Sequence, residues 1–462
     1  MADTPATPGA RRSPELKRVM GPGLLLLFVV GDILGTGIYA LTGQISAEVG
    51  GAVWVPFLVA FAVALVTALS YLELVTKYPE AAGAALYTHK AFGLHSLTFM
   101  VTFTVMCSGI TSAATAARAF ASNLAQAFEF DLGTAIGTTL VASAFMTAIA
   151  ALNLRGVSES VKANVLLTCV ELSGLLIVIV VGLWALGFGN GDFGRVIDFS
   201  TGDRSAVGGV IAATTLAFYA MVGFEDSVNM AEETKEPSRI FPKVLLAGLV
   251  LTALIYVLVS ITAVALVPPE QLAEGNTPLL RVVETGAPGF PIQVFAFISM
   301  AAVANSALIN MLMAGRLLYG MARHRVLPEP LGRVHSRRRT PHIAIVFTTV
   351  LALGLIAFAG EVPQLGGTTA LLLLGVFTIV NIAVLVLRRD EVPHEHFRTP
   401  TLLPVIGALA CAYLVTPFTD RDPRQYAVAG VLLLIGAALG VVNRIFGRRS
   451  EDGPLDPAID VK

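Results

Sequence analysis

The chain is poor in charge and poor in cysteine. Only 14% of its 462 residues are Asp, Glu, Lys or Arg, while 55% are hydrophobic, and the mean hydropathy is +0.75. A soluble domain carries about a quarter of its residues as charges, so this composition excludes an ordinary water-soluble globule. The three cysteines, Cys107, Cys169 and Cys411, all fall inside apolar runs. That placement argues against a disulfide framework or a thiolate metal cage and leaves them as small apolar fillers. There is no HExxH zinc motif, no Gly-x-Ser-x-Gly elbow and no Cys/His metal pattern, so no enzyme of those classes is expected, and no metal or cofactor. The histidines His89, His95, His324, His335, His342, His394 and His396 lie in or beside polar connections, where a solvated imidazole is the ordinary state. A net charge of −1 says little about partners, and no nucleic acid is expected.

What the chain has instead is long apolar runs. Stretches able to cross a bilayer, each about 20 residues, lie near 21–42, 51–77, 96–122, 133–154, 161–187, 207–230, 242–267, 290–320, 342–360, 366–388, 402–418 and 425–445. The fold class is therefore an all-α polytopic membrane protein of about 12 transmembrane helices. The first run follows a basic segment but has no small-residue cleavage site, and further spans follow it, so a retained helix is expected rather than a signal peptide. Arg195, Arg204, Arg281, Arg421 and Arg424 fall in loops opposite the N-terminus and Arg118 within the third span; the other Lys and Arg fall on the N-terminal side. This bias places both ends in the cytoplasm of a multi-pass cell-membrane protein. Arg316, Arg323 and Arg337 to Arg339 fix topology, with contact to anionic lipid as a second reading. Residues 1–20 and 447–462 read as polar cytoplasmic tails, with no separate soluble domain.

Two interruptions organise the membrane part. Gly31-Asp32-Ile33-Leu34-Gly35-Thr36-Gly37 sets a glycine triplet and an acid in the middle of the first run. Five spans later, Phe218-Tyr219-Ala220-Met221-Val222-Gly223-Phe224-Glu225-Asp226 interrupts the sixth. Unwound backbone at membrane depth persists only where it lines a cavity or is buried in protein. Paired breaks in matching positions suggest two inverted five-helix halves, residues 21–187 and 207–388, meeting at a binding site, with residues 391–446 beyond them.

Several segments carry a resemblance. Gly31-Asp32-Ile33-Leu34-Gly35-Thr36-Gly37-Ile38-Tyr39 is similar to Gly-x-x-Ile-Gly-Ser/Thr-Gly-Ile-Phe of the amino acid, polyamine and organocation (APC) superfamily. Glu73 through Pro79, Gly83, Tyr87 and Phe92-Gly93 resemble that family's first inner loop, although Ala85 stands where an aromatic is common. Gly315-Arg316-Leu317-Leu318-Tyr319-Gly320-Met321-Ala322-Arg323 with Leu327-Pro328, and Pro393 with Phe397-Arg398-Thr399-Pro400, match its eighth helix and its link between helices 10 and 11. The motifs fall in order from residue 21 to about residue 404. The resemblance implies the leucine-transporter-type 5+5 inverted repeat with discontinuous helices 1 and 6 plus two C-terminal helices, and secondary transport of amino acids or related amines.

The same resemblance implies a substrate site at Gly35, Thr36, Gly37, Ile38, Phe218, Tyr219, Ala220 and Gly223. Physically, glycines let backbone approach a ligand, and the half-helix starting there presents free N–H groups to an α-carboxylate. Carbonyls freed in the sixth span would take the ammonium, with Phe218 or Tyr219 as a lid. The competing reading is packing, since Gly-x-x-x-Gly patterns are common helix contacts in membranes. Asp32, Glu171, Glu225 and Asp226 are candidates for proton or cation coupling, because intramembrane acids are costly; the competing reading is a protonated, hydrogen-bonded core acid. Ser160, Asn164, Thr168 and Glu171 share one helical face, and Glu171 stands where cationic amino acid transporter relatives often have lysine. Glu171 and Asp32 could hold a shared proton or a cation. Ser108, Ser112, Ser306 and Asn310 are expected to line the pathway, together with Thr104, Thr111, Thr115 and Ser299, although interhelical hydrogen bonding competes for each. Arg118 is expected to snorkel towards the outer vestibule. The expected function is proton-coupled amino acid transport, with sodium open; polyamine or amine exchange and a non-transporting amino acid receptor are the alternatives.

Overall fold

The computed structural model describes residues 20–80, 83–129, 135–155, 158–202, 204–323, 329–335, 338 and 340–447. Both tails, Leu327-Pro328, Arg337, Arg339 and the side chains of Ser160 and Arg323 lie outside the described residues. The first apolar run forms two half-helices, α1 (Pro22–Ile33) and α2 (Thr36–Val49), and α3 (Trp54–Lys77), α4 (Gly83–Phe92), α5 (His95–Ala127), α6 (Ala135–Arg155) and α7 (Ser158–Gly187) follow. The sixth run is likewise split into α8 (Ala206–Ala220) and the single turn α9 (Phe224–Ser227), which continues as a 3-10 stretch to Glu233. Then come α10 (Pro237–Leu266), the short α11 (Pro269–Leu272) and α12 (Pro278–Gly286), α13 (Ile292–Arg323), α14 (His342–Phe358), α15 (Val362–Leu387), α16 (Leu402–Val415) and α17 (Pro423–Gly447).

Among the described residues, ten helical segments are long and apolar enough to cross a membrane, and the shorter apolar helices α14 and α16 stand where the sequence places the ninth and eleventh spans. Proline opens several of these helices, Pro22 of α1 and Pro237 of α10 among them, at a position where the missing N–H has no intrahelical partner to lose. Glu361 and Gln364 close a capping box at the start of α15.

Packing repeats between the two halves. α5 lies on α15 as α13 lies on α7; α1 lies on α10 as α8 lies on α3; and the connecting helix α4 lies on α15 as α12 lies on α7. Each contact exchanges helices five spans apart, as an inverted repeat requires. At its centre, α5 packs along α13 and α3 along α10.

Buried polar groups lock the frame. On the N-terminal side, the guanidinium of Arg388 donates from Nε and Nη2 to the carboxylate of Glu73 at 2.8 and 2.7 Å, which holds that guanidinium above its ordinary pKa. Glu73 also accepts the backbone N–H of Thr399, and Thr76 Oγ1 that of Phe397. Two motifs more than 300 residues apart in the chain are thus joined in space. Ser70 and Thr67 of α3 bond Asn381 of α15, and Gly407 lets α16 close over that asparagine. On the opposite side, Arg204 bridges Glu48 at the end of α2 and Asp420 in the α16–α17 connection. Arg421 is buried and donates to the carbonyls of Leu414 and Gly367 and to Gln425, and burial pushes its pKa down to about 10. Arg118, half-buried, donates from its guanidinium to the Ile356 carbonyl near the end of α14.

Candidate functional site

The two breaks touch. Gly35, between α1 and α2, has φ +139°, and Gly223, between α8 and α9, has φ +123°, both in the region that a side chain disfavours. A Cβ on Gly223 would fall 2.4 Å from the carbonyl oxygen of Asp32, so only glycine lets the second break press on the first. Tyr256 Oη donates to the Ile33 carbonyl at 2.9 Å, satisfying one acceptor that the end of α1 leaves free. Gly223 N–H donates to Glu225 Oε2 at 2.8 Å, so Glu225 caps the start of α9.

Around this junction the expected substrate residues separate by role. Gly37 faces α8, where a Cβ would lie 2.5 Å from Ala220 Cα, which supplies a packing reason for both residues. Ile38 is fully buried. Thr36 is buried, its hydroxyl beside that of Tyr219. Tyr219 Oη shares a hydrogen bond with Ser112 Oγ at 3.2 Å, and its ring faces Gly366 of α15. Phe218 is buried with its ring 6.0 Å from that of Phe377, in a cluster with Phe224 and Tyr71.

The acids gather on both sides of the breaks. Glu171 is completely buried, with the Asn305 amide beside its carboxyl. A Cβ on Gly35 would lie 3.9 Å from Glu171 Oε1 and 3.4 Å from Ser306 Oγ, so both side chains look onto the start of α2. Tyr39 fixes this stretch of α7 by donating to the Glu171 carbonyl at 2.7 Å. Below it, Thr168 sits against Gly31, and Asn164 donates to Asn305 at 3.2 Å. Asp32 is half-buried with Oδ2 unpaired, and it interacts electrostatically with Asp226, Glu225 and Glu171.

A narrow cavity opens beside Glu225 and Asp226. Ser108, Asn310 and Thr369 line it, and it has room for about one water molecule. A second, of similar size, shares Val105, Leu317 and both acids and continues past Tyr71, Ala84 and Asn229 towards α4. Together they trace a path from the breaks towards the face that carries the N-terminus. Neither holds an amino acid without widening. Asn310 also donates to the Ser306 carbonyl at 2.9 Å, tying the cavity wall to the residue facing Gly35. Of the polar stripe on α5, Ser108 lines the cavity, whereas Thr111 is spent on an interhelical bond to Thr369 at 2.7 Å.

Sequence reasoning missed Thr369, Tyr71, Tyr256 and Asn381. Each is a polar group set within an apolar run, a signal that the sequence alone does not tie to any site.

The sequence profile of the amino acid permease family matches residues 25–437. The chain is similar to the branched-chain amino acid permease BcaP of Bacillus subtilis (strain 168), 25% identical over 424 residues that cover 87% of this chain and 88% of that protein. It is similar to the methylthioribose transporter of the same organism, 26% identical over 427 residues that cover 87% and 89%. It also resembles the mitochondrial cationic amino acid transporter 3 of Arabidopsis thaliana, 29% identical over 387 residues that cover 80% of this chain and 63% of that protein. With its breaks, its packing and this match over most of its length, the chain belongs to the amino acid permease family of the APC superfamily and is a multi-pass membrane transporter, not an enzyme.

Proposed function

We propose that this chain moves amino acids across the cell membrane by alternating access, coupled to protons, with both termini in the cytoplasm. The observation that carries the proposal is the contact between the two broken spans at Asp32 and Gly223, flanked by Glu171 on one side and the Glu225 cavity on the other. A zwitterion fits this junction. Its carboxylate would meet the free N–H groups at the start of α2, and its ammonium the carbonyls that end α8. The cavities towards α4 would form the release route as Phe218, Tyr219 and α9 shift.

Protons are favoured over sodium because the acids Glu171, Glu225 and Asp226 look onto the site. A second reading, an amine or polyamine exchanger, is favoured by the cavity walls, which include Glu225 and Asp226 and no Lys or Arg. Uptake of labelled amino acids and polyamines into proteoliposomes, with proton and sodium gradients imposed separately, tests both. Accumulation of one amino acid class driven only by the proton gradient supports the first reading, and accumulation of polyamines alone supports the second. Binding without accumulation or exchange under either gradient would make the chain a receptor.

A further inference from the structure

The start of α2 combines two features that conflict once a ligand arrives. It is a helix N-terminus whose first N–H groups lack intrahelical partners, so it invites an anion. Yet Glu171, fully buried with only a neutral amide, that of Asn305, beside its carboxyl, looks onto the same spot. The titratable groups that interact with Glu171 are Asp32 on α1, Tyr39 on α2 and Tyr256 on α10. Asn305 on α13 adds a neutral amide. None of these is a cation, so among the described residues no fixed positive charge beside Glu171 offsets a second negative one.

Resting on the transporter reading above, we infer that an amino acid's α-carboxylate and a proton on Glu171 bind together, the protonated acid facing the ligand carboxylate at the start of α2. Two carboxylates at this range cannot both ionise cheaply. The ligand therefore binds with Glu171 protonated: wherever the empty site leaves that carboxyl ionised, binding draws a proton from solution, and by linkage the proton strengthens ligand binding by the same factor. Coupling arises from direct contact between the charges, and no signal has to travel along a helix. Because the effect belongs to the carboxylate, an amine that lacks this group gains nothing from the proton.

The test uses the purified full chain in detergent, with L-leucine, L-arginine and their decarboxylated counterparts 3-methylbutylamine and agmatine as probes. Proton uptake on binding is read with an indicator dye in weak buffer, and affinity is measured across pH. Expected is affinity that weakens about tenfold per pH unit above the pH at which the empty site loses the Glu171 proton, with uptake approaching one proton per amino acid bound in that range. The decarboxylated probes should bind with no proton uptake, a comparison that needs no variant. In Glu171→Gln, amino acid binding should persist without proton uptake or pH dependence. Amino acid affinity that stays flat to alkaline pH with no proton uptake, or sodium bound in place of the proton, would overturn this inference and leave the transporter reading standing. Undiminished proton uptake in Glu171→Gln would overturn it as well. Failure of every probe to bind would overturn both, a distinct result.

Discussion

Replacing Arg388 by methionine tests whether the ends of α3 and α15 are clamped by charge. The substitution keeps most of the apolar stem and removes four donated hydrogen bonds: two to Glu73, one to the Thr399 carbonyl at 2.6 Å and one to Thr401 Oγ1 at 2.7 Å. Glu73, whose side chain is 2% exposed, would keep only the Thr399 N–H at 2.9 Å. A carboxylate left buried without its counterion costs about 3–5 kcal/mol. If that uncompensated charge is the cause, adding Glu73→Gln should recover part of the loss, because a neutral amide needs no counterion. A coupling of about 1–3 kcal/mol between the two sites is expected. Equilibrium unfolding in mixed detergent micelles, measured for the wild type, both single variants and the double variant, gives the cycle. Arg388→Met within about 0.5 kcal/mol of wild type, or a double variant as unstable as the sum of the singles, would refute the clamp.

Gly37→Ala should cost about 1–3 kcal/mol as α2 and α8 are forced apart, whereas Gly375→Ala, with nothing within 4 Å of the new Cβ, should be neutral or stabilising; melting of the two variants in detergent compares them. Glu225→Gln retains an oxygen to cap Gly223 N–H and should fold, while Glu225→Ala leaves that donor unsatisfied and should lose about 1–3 kcal/mol. If Glu225→Gln folds yet loses proton-driven uptake, its charge is used in coupling as well. Burial, with the nearby His95 and Lys90, holds the His89 imidazole below its ordinary value of 6.5. The folded state then binds fewer protons than the unfolded state, so His89's contribution to stability is complete above pH 6.5 and falls as pH drops below it. His89→Gln should flatten that part of the stability profile.

The sequence was most legible where physics leaves few options. Twelve apolar runs and two glycine-rich interruptions could belong only to membrane helices with two breaks, because hydrocarbon forbids free backbone except in a lined cavity. Glycine was the strongest signal but an ambiguous one. Gly35 and Gly223 carry the strained backbone, whereas Gly37 carries close packing against Ala220, and spacing alone cannot separate those uses. Acids were legible as unusual, not by role: Glu225 caps a helix start, while Glu171 lies fully buried beside the Asn305 amide, and which donors lie near each depends on helix rotation. Glu73 and Phe397 to Pro400 each stood out in the sequence, yet nothing in it said that they bind one another.

Counterflow tests the transport reading most directly, because it requires translocation without an imposed ion gradient. Proteoliposomes are loaded with an unlabelled amino acid that binds the purified chain, diluted into trace label of the same compound, and followed over time. A carrier that alternates access gives a transient overshoot of label inside, absent when Asn310→Trp fills the cavity beside Glu225 and Asp226. Label that never exceeds the amount bound to the protein, in vesicles whose protein still binds the amino acid, would contradict it.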